Sequence, residues 1–497
     1  MQQSYVIGID IGTGSTKAVA LSRSGDVLGR AQEHYLSISE GEKSEQDVST
    51  VFAAFQQCVK RLVGELQAPP DAIALSSAMH SLLAVDDNGK PLTNAILWSD
   101  TRSSGIAEAL RHSATGEQLY HNTGTPLHSM SPLCKIKWLQ QNDPPVFSKA
   151  AKFISVKEFI WQQLFGEYVI DHSVASATGL FNVLQLVWDE MALSFAGIEA
   201  SRLSLPAPVT YQKQGLSEAS ALAMNLPTNT SFFIGGSDGC LANLGSLCLS
   251  TSEAAITIGT SAAVRITSAV PVQDAERMVF NYLLNEEIFV CGGAVNNGGN
   301  VFQWLLENLF SHHSLVTNYD QLFALLATIP AGSDGLLFLP YLHGERAPIW
   351  DENSCGVFMG IRPVHTLAHF ARAAAEGVCF ALLHILSSLE EVVGEVAQLA
   401  VSGGVIHANE IMQLLADVTG KKLMIQTADD ASAIGAAYLA QKAMGIIDDF
   451  KAIEEKPAAL FLPQMEKWLR YQELFAIYKR LYPSLKEQMH LLHQLAH

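Results

Sequence analysis

The stretch Tyr5-Val-Ile-Gly-Ile-Asp-Ile-Gly-Thr-Gly-Ser-Thr-Lys-Ala-Val-Ala-Leu21 constrains this chain more than any other. An apolar run ends in Asp10. Gly12, Thr13 and Gly14 supply a tight turn, and a second apolar run, residues 18–21, follows Thr16 and Lys17. The pattern predicts two antiparallel strands joined by a turn that exposes backbone N–H groups. Such a turn is a nest for phosphate oxygens, and glycine lets them come close. An acid beside a phosphate nest repels the ligand unless a divalent cation lies between them. The same residues also suit an ordinary Gly-rich edge hairpin.

Part of this pattern recurs. Ala254-Ala-Ile-Thr-Ile-Gly-Thr-Ser-Ala-Ala-Val-Arg-Ile266 repeats strand, Gly-Thr turn and strand, with Thr257 standing where Asp10 stood. Two hairpins of one design, half a chain apart, argue for duplication: two related α/β halves facing each other. A nucleotide would then lie in the cleft between the two turns.

At 497 residues the chain is long enough for two to four domains. A hydrophobic fraction of 48% with 16% charged residues fits a well-buried globular enzyme. The net charge of −18 comes without a long basic run, so nucleic acid and anionic membrane are poor partners. That acidic field also opposes a nucleotide, which leaves local amides, a metal and a few placed cations to overcome it. Seven cysteines lack Cys-x-x-Cys spacing and read as reduced, mostly buried thiols of a cytosolic protein. No stretch reaches about 18 uninterrupted apolar residues, so no membrane span is expected.

Elsewhere the pattern predicts a third strand over residues 26–31 and a helix over 47–66, with Val48, Val51, Phe52, Phe55, Val59 and Leu62 at helical spacing. Strands follow at 72–77 and 82–86. Gly292-Gly-Ala-Val-Asn-Asn-Gly-Gly299 leads into a helical pattern through Leu309. Leu399-Ala-Val-Ser-Gly-Gly-Val-Ile-His-Ala-Asn409 reads as strand, double-glycine turn and helix, with Gly420 as the helix cap. The bare Gly403-Gly404 pair either lets a flat base lie on backbone or packs strand against helix. A strand at 422–426 and an Ala-rich helix at 431–444 follow, and residues 446–497 look helical and amphipathic.

With these features in place, the chain resembles the FGGY carbohydrate kinases, of the sugar kinase, heat-shock protein and actin superfamily, over about residues 5–445. Two composite segments carry the likeness. One is Met130-Ser-Pro-Leu-Cys-Lys-Ile-Lys-Trp-Leu-Gln-Gln-Asn142; the other is Gly356-Val-Phe-Met-Gly-Ile361 with His369-Phe-Ala-Arg-Ala-Ala-Ala-Glu376. The resemblance implies two actin-like, ribonuclease H-like α/β domains facing a central cleft. These would be residues 1–245 and 246–445, with 446–497 a helical extension of the second. It implies ATP and Mg²⁺ as cofactors. Asp238, in Gly235-Gly-Ser-Asp-Gly239, matches the catalytic base, and Asp10, with Asp238, the metal-holding acids. Gly12, Thr13, Gly14 and Lys17 match the first phosphate loop, and Gly259, Thr260 and Ser261 the second. Gly298, Gly403, Gly404 and Asn409 match nucleotide-side positions. Met79, His80, Trp98 and Asp100 match sugar-site segments. Lys135 and Lys137 also read as surface charges, and His343-Gly-Glu-Arg-Ala-Pro348 as a structural turn.

The Ala78-Met79-His80-Ser81 text departs from the Arg-Glu pair of glycerol kinases and is close to xylulose kinases. Its wider context is most similar to gluconate kinases. Gluconate brings a carboxylate, which in a buried site needs a cation or several N–H donors. Arg102, Lys135, His80 and His128 are the candidates. The partners implied are a small sugar or sugar acid and ATP, in a cytoplasmic enzyme that is a possible homodimer. The same ATPase core also serves actin-like filaments and chaperones, a reading that dispenses with the sugar acceptor. For transfer, the halves are expected to close about a hinge near residues 240–255, bringing sugar hydroxyl and γ-phosphate together and excluding water.

Overall fold

The structure is a computed structural model that describes residues 4–274, 277–312, 316–426, 430–450, 453 and 458–496. The opening hairpin forms as the pattern requires. Tyr5–Ile11 and Ser15–Ser22 pair antiparallel, which sets Asp10 opposite Lys17, and the Gly12 N–H closes the turn on the Ser15 carbonyl at 3.0 Å. The third strand runs Val27–His34, longer than the 26–31 expected, because pairing continues to Ser15 opposite His34. Ala72–Ser77 and Ser231–Ser237 add in parallel on the other side, and Gln212–Lys213 closes that edge antiparallel. Helix Val48–Leu66, capped by Asp47, covers one face through Val51, Phe55, Val59 and Leu62.

The second sheet repeats this order. Glu253–Ile258 pairs antiparallel with Ala262–Ser268, which pairs antiparallel with Phe289–Val295. On the other side Gln398–Ser402 and Lys422–Ile425 add in parallel, and Ala459–Phe461 closes antiparallel. Identical strand directions around both hairpins support the duplication read from residues 254–266. One extra strand, Phe280–Leu283, extends the second sheet past Phe289–Val295. Gly292 and Gly293 therefore sit inside a strand, where pattern reading had placed a glycine-rich lead-in. A Cβ on Gly292 would overlap the Val264 carbonyl oxygen of the neighbouring strand.

The 82–86 strand shortens to Leu83–Val85, whose partner is the distant Lys152–Ile154. The C-terminal segment joins the second core. Helix Met465–Ala496 packs on Leu367–Val393, and the Tyr471 hydroxyl meets the buried Arg372–Glu376 ion pair. Residues 451, 452, 454–457 and 497 of that segment lie outside the described residues. Leu367–Val393 is long and apolar enough to cross a membrane, yet 83% of its apolar window is buried inside the protein.

One helix packs across the expected boundary between the halves. Helix Ala431–Ala443, placed in the second half by sequence order, packs on the first sheet. Its Ala433, Ala436, Ala437 and Ala440 lie with Val6, Val19, Leu21, Ala72 and Ala74 in one core cluster. Small residues permit this approach: a Cβ on Gly8 would overlap the Ala433 carbonyl oxygen. One on Gly435 would overlap that of Leu241, and one on Gly245 that of Ala431. The helix thus crosses Asp238–Gly245 at backbone distance, and the chain passes between halves here as well as near residue 250.

Candidate active site

Asp10 is the penultimate residue of the first strand. Its Oδ1 accepts from Ser76 Oγ at 2.9 Å, on the adjacent parallel strand. Burial, and then the charge of Asp238, push its pKa up to about 7. Asp238 opens helix Asp238–Gly245 directly after the buried strand Ser231–Ser237, so its carboxylate projects from a strand-to-helix corner. Its Oδ1 accepts from the Gly239 N–H at 2.7 Å, and its carbonyl accepts from Ser432 Oγ at 3.1 Å. Burial raises its pKa, opposed by Arg265 and by Lys157. Lys157 is itself bonded to Asp171 at 2.7 Å and to the Gly236 carbonyl at 2.8 Å, which braces the turn before Asp238.

The second turn mirrors the first. The Gly259 N–H meets the Ser261 carbonyl at 2.8 Å. Gly298 and Gly299 pack onto this turn, with Gly299 N–H to the Gly259 carbonyl at 2.7 Å and Gly298 N–H to the Thr260 carbonyl at 3.2 Å. Beside it lies a cavity of about 370 Å³ lined by Gly259, Thr260, Gly299, Phe302, Tyr319, Gly404, Val405 and Ala408, among others. The double glycine divides into two roles. Gly403, at φ 102°, presses against the Ile258 backbone, whereas a Cβ on Gly404 would meet open space in the cavity. Asn409 opens helix Asn409–Thr419, is exposed, and lines a neighbouring cavity beside Arg372. Lys17 is also engaged elsewhere, bonded to Asp430 at 2.9 Å.

Of the residues expected at the sugar, Trp98 reaches the first turn. Trp98 Nε1 donates to Thr13 Oγ1 at 3.1 Å, and Gln46 Nε2 to the Thr13 carbonyl at 2.7 Å. His80 is held at φ 68°, a left-handed backbone that is uncommon outside glycine and frequent at functional sites. Its Nδ1 donates to the Ala177 carbonyl at 2.8 Å, and burial lowers its pKa to about 3. The ring is therefore neutral, with Nε2 an acceptor facing the Tyr282 hydroxyl at 3.5 Å.

Four polar groups expected at the sugar are engaged in structure. Asp100 accepts from the Ser44 N–H at 2.9 Å and from Arg102 Nε at 2.9 Å. Arg102 bonds Asp100 at 2.7 Å and Glu45 at 2.8 Å and lies over the Trp138 ring. Lys135 is not a surface charge. It is 1% exposed, and its ammonium donates to the carbonyls of His80 at 2.6 Å and Leu97 at 2.7 Å, tying both sugar-site segments to one helix. Burial lowers its pKa to about 7. His128 bonds Glu352 of the second half at 2.9 Å, and that carboxylate, which Ser129 also meets, is held at about 2.

Pattern reading missed Lys157, Arg265, Tyr282 and Arg346. Arg346 belongs to the 343–348 loop, read as a possible structural turn. Its guanidinium carbon lies 4.9 Å from the centre of the Trp98 ring, while buried Glu345 fastens the loop through Asn297 at 2.9 Å. The signal for Arg265 was a charge inside the apolar run Ala262-Ala-Val-Arg-Ile266.

The assembled site has relatives. Residues 5–245 match the model of the FGGY family of carbohydrate kinases, N-terminal domain, and residues 254–444 match the C-terminal domain. The chain is 38% identical to a gluconokinase of Bacillus subtilis (strain 168) over 98% of its own length and 97% of that protein. It is 28% identical to a xylulose kinase of Lactococcus lactis, covering 98% of each chain. A gluconate kinase and a ligand-bound xylulose kinase, both of Lactobacillus acidophilus, superpose equally well. Each has a TM-score of 0.93 at 31% identity, covering 97% of this chain and 98% of the other. Two matched domain models, full-length relatives and a cleft built from paired hairpins agree: the chain belongs to the FGGY family of carbohydrate kinases.

Proposed function

We propose that the chain transfers the γ-phosphoryl group of ATP to the terminal hydroxyl of D-gluconate, giving 6-phosphogluconate. One observation carries the transfer chemistry. Asp10 and Asp238, from separate elements, lie closely enough in one cleft for the charge of Asp238 to raise the pKa of Asp10. The gluconate assignment is supported by the 38% identity to a gluconokinase.

In this reading Asp238 accepts the proton of the attacking hydroxyl. The adenosine occupies the cavity beside Gly404, and its phosphates pass between the turns at Gly12–Gly14 and Gly259–Ser261, whose N–H groups hold them in line. The donor chemistry fits Mg²⁺. Both carboxylates have a raised pKa, and among the described residues no group of three or more ligating side chains forms a cage. That is the pattern of a hard cation that keeps waters and phosphate oxygens. Asp10 and Asp238 would hold it, and its charge would neutralise the transferring phosphoryl group. Met79, His80 and Trp98 wall the sugar. Seven free cysteines, six of them buried, suit a cytoplasmic setting.

D-xylulose is the second reading, favoured by the equal superposition on a xylulose kinase. A coupled assay of ADP release with gluconate, xylulose, glycerol and ribulose tests both. Gluconate should give the highest kcat/KM, and ATP hydrolysis without an acceptor should be slow. Faster turnover of xylulose would replace the assignment. Rapid hydrolysis independent of any sugar would defeat the kinase reading.

A further inference from the structure

The candidate cations for a substrate carboxylate are almost all engaged by the protein itself. Arg102 is paired with two acids, Lys157 with Asp171, and Lys135 with backbone carbonyls. Arg346 donates to Asn296 at 2.8 Å and to the Val295 carbonyl at 3.2 Å, and lies against Trp98. Arg265 differs. It stands on the return strand of the second hairpin, opposite Ala255 on one side and Gly292 on the other. Its Nε is buried without a hydrogen-bond partner, and its one bond is a long one, Nη1 to Thr257 Oγ1 at 3.4 Å. Among the described residues no carboxylate forms an ion pair with it.

Its surroundings are the reaction site. A Cβ placed on Gly239 would lie 3.3 Å from Arg265 Nε and 3.2 Å from Met79 Cε. The guanidinium and the sugar-side methionine therefore face one small space next to Asp238. Asp238 feels this charge more than any other cation, yet the two do not form an ion pair. A substrate bridging the two would set its reacting hydroxyl on the carboxylate and an anionic group on the guanidinium. A part-buried guanidinium without an acid is costly, and its planar fork matches a carboxylate.

We propose that Arg265 receives the carboxylate of a sugar acid and thereby sets the preference of this pocket for acids over neutral polyols. The inference rests on the gluconate reading. D-gluconate and D-glucitol share one carbon chain and differ by carboxylate against hydroxymethyl. The test measures kcat/KM for both in wild type, Arg265→Met and Arg265→Lys. It also measures gluconate binding to the nucleotide-free protein by calorimetry, which needs no turnover. Any effect transmitted through Asp238 lowers both substrates together and cancels in their ratio. Arg265→Met should reduce gluconate about ten- to a hundredfold more than glucitol, as expected for losing a hydrogen bond to a charged group. Arg265→Lys should restore part of the ratio, and gluconate affinity should follow it. An unchanged ratio in both variants, with gluconate still bound, overturns the assignment of Arg265 and leaves the gluconate reading standing. A wild-type enzyme that does not phosphorylate gluconate removes both. ATP binding and thermal melting of each variant establish that the protein is folded.

Discussion

Replacing Asp10 by asparagine should stabilise the metal-free protein while disabling the enzyme. The carboxyl of Asp10 ionises at about 7 in the fold against 3.8 as a free side chain. A native pKa above the unfolded one means the fold holds a proton that the unfolded chain has already lost. Stability therefore falls as pH climbs from about 4 to 7 and is level above that. A shift of about three units corresponds to about 4 kcal/mol once the group is fully ionised in both states. Asparagine carries no charge and retains an acceptor for Ser76, so it escapes that cost. For a domain of this size the gain is roughly 8–15 °C in Tm at about pH 8, shrinking towards zero near pH 4. The assay is thermal unfolding in excess EDTA across that range, wild type beside Asp10→Asn. MgATP added at pH 8 should raise the wild-type Tm and leave the variant nearly unmoved, and the half-saturating Mg²⁺ for turnover should rise in the variant. Equal Tm differences at both ends of the pH range, or none at pH 8, would refute the electrostatic argument.

Three further outcomes follow from the same cleft. Asp238→Asn should keep nucleotide and sugar binding by calorimetry while kcat falls roughly 10²–10⁴-fold, the range for a general base; turnover close to wild type would remove Asp238 from that role. Gly403→Ala should lower Tm, since its Cβ strikes the Ile258 backbone, whereas Gly404→Ala should leave Tm unchanged and raise the KM for ATP; matched effects would contradict the split. Lys135→Met strands the carbonyls of His80 and Leu97 and should cost about 2–5 kcal/mol in denaturant unfolding, with a raised KM for sugar; a neutral result would return Lys135 to the surface-charge reading.

What pattern reading resolved was local. The hairpins at Asp10 and Thr257, the Asp47-capped helix and the Gly420 cap each depend on residues within a turn or two of one another, so spacing alone specifies them. The features it missed depend on distant partners. Lys135 looks like a helix-surface charge until carbonyls at His80 and Leu97 close over it, and nothing in Lys135-Ile-Lys137 announces them. Asp100 and Arg102 are close enough in sequence to suggest a pair, but Glu45 and Ser44 decide that the pair is saturated. Asn409 begins the expected helix and lines the cavity beside Arg372, a matter of helix rotation that glycine spacing does not encode. Helix Ala431–Ala443 is alanine-rich over most of its length, so composition suits it equally to either sheet.

That crossing helix bears on how the chain is made. Val6, Val19, Leu21, Ala72 and Ala74 turn towards it, and the first sheet is complete once Ser231–Ser237 has been synthesised. The covering helix begins about 190 residues after Gly245, a delay of roughly 10–40 s at ordinary translation speeds. Throughout that interval one face of the N-terminal sheet emerges from the ribosome without its native cover. Nascent chains stalled between residues 245 and 430 should therefore bind chaperones and resist refolding, and a fragment ending at 245 should be insoluble unless residues 431–443 are supplied in trans.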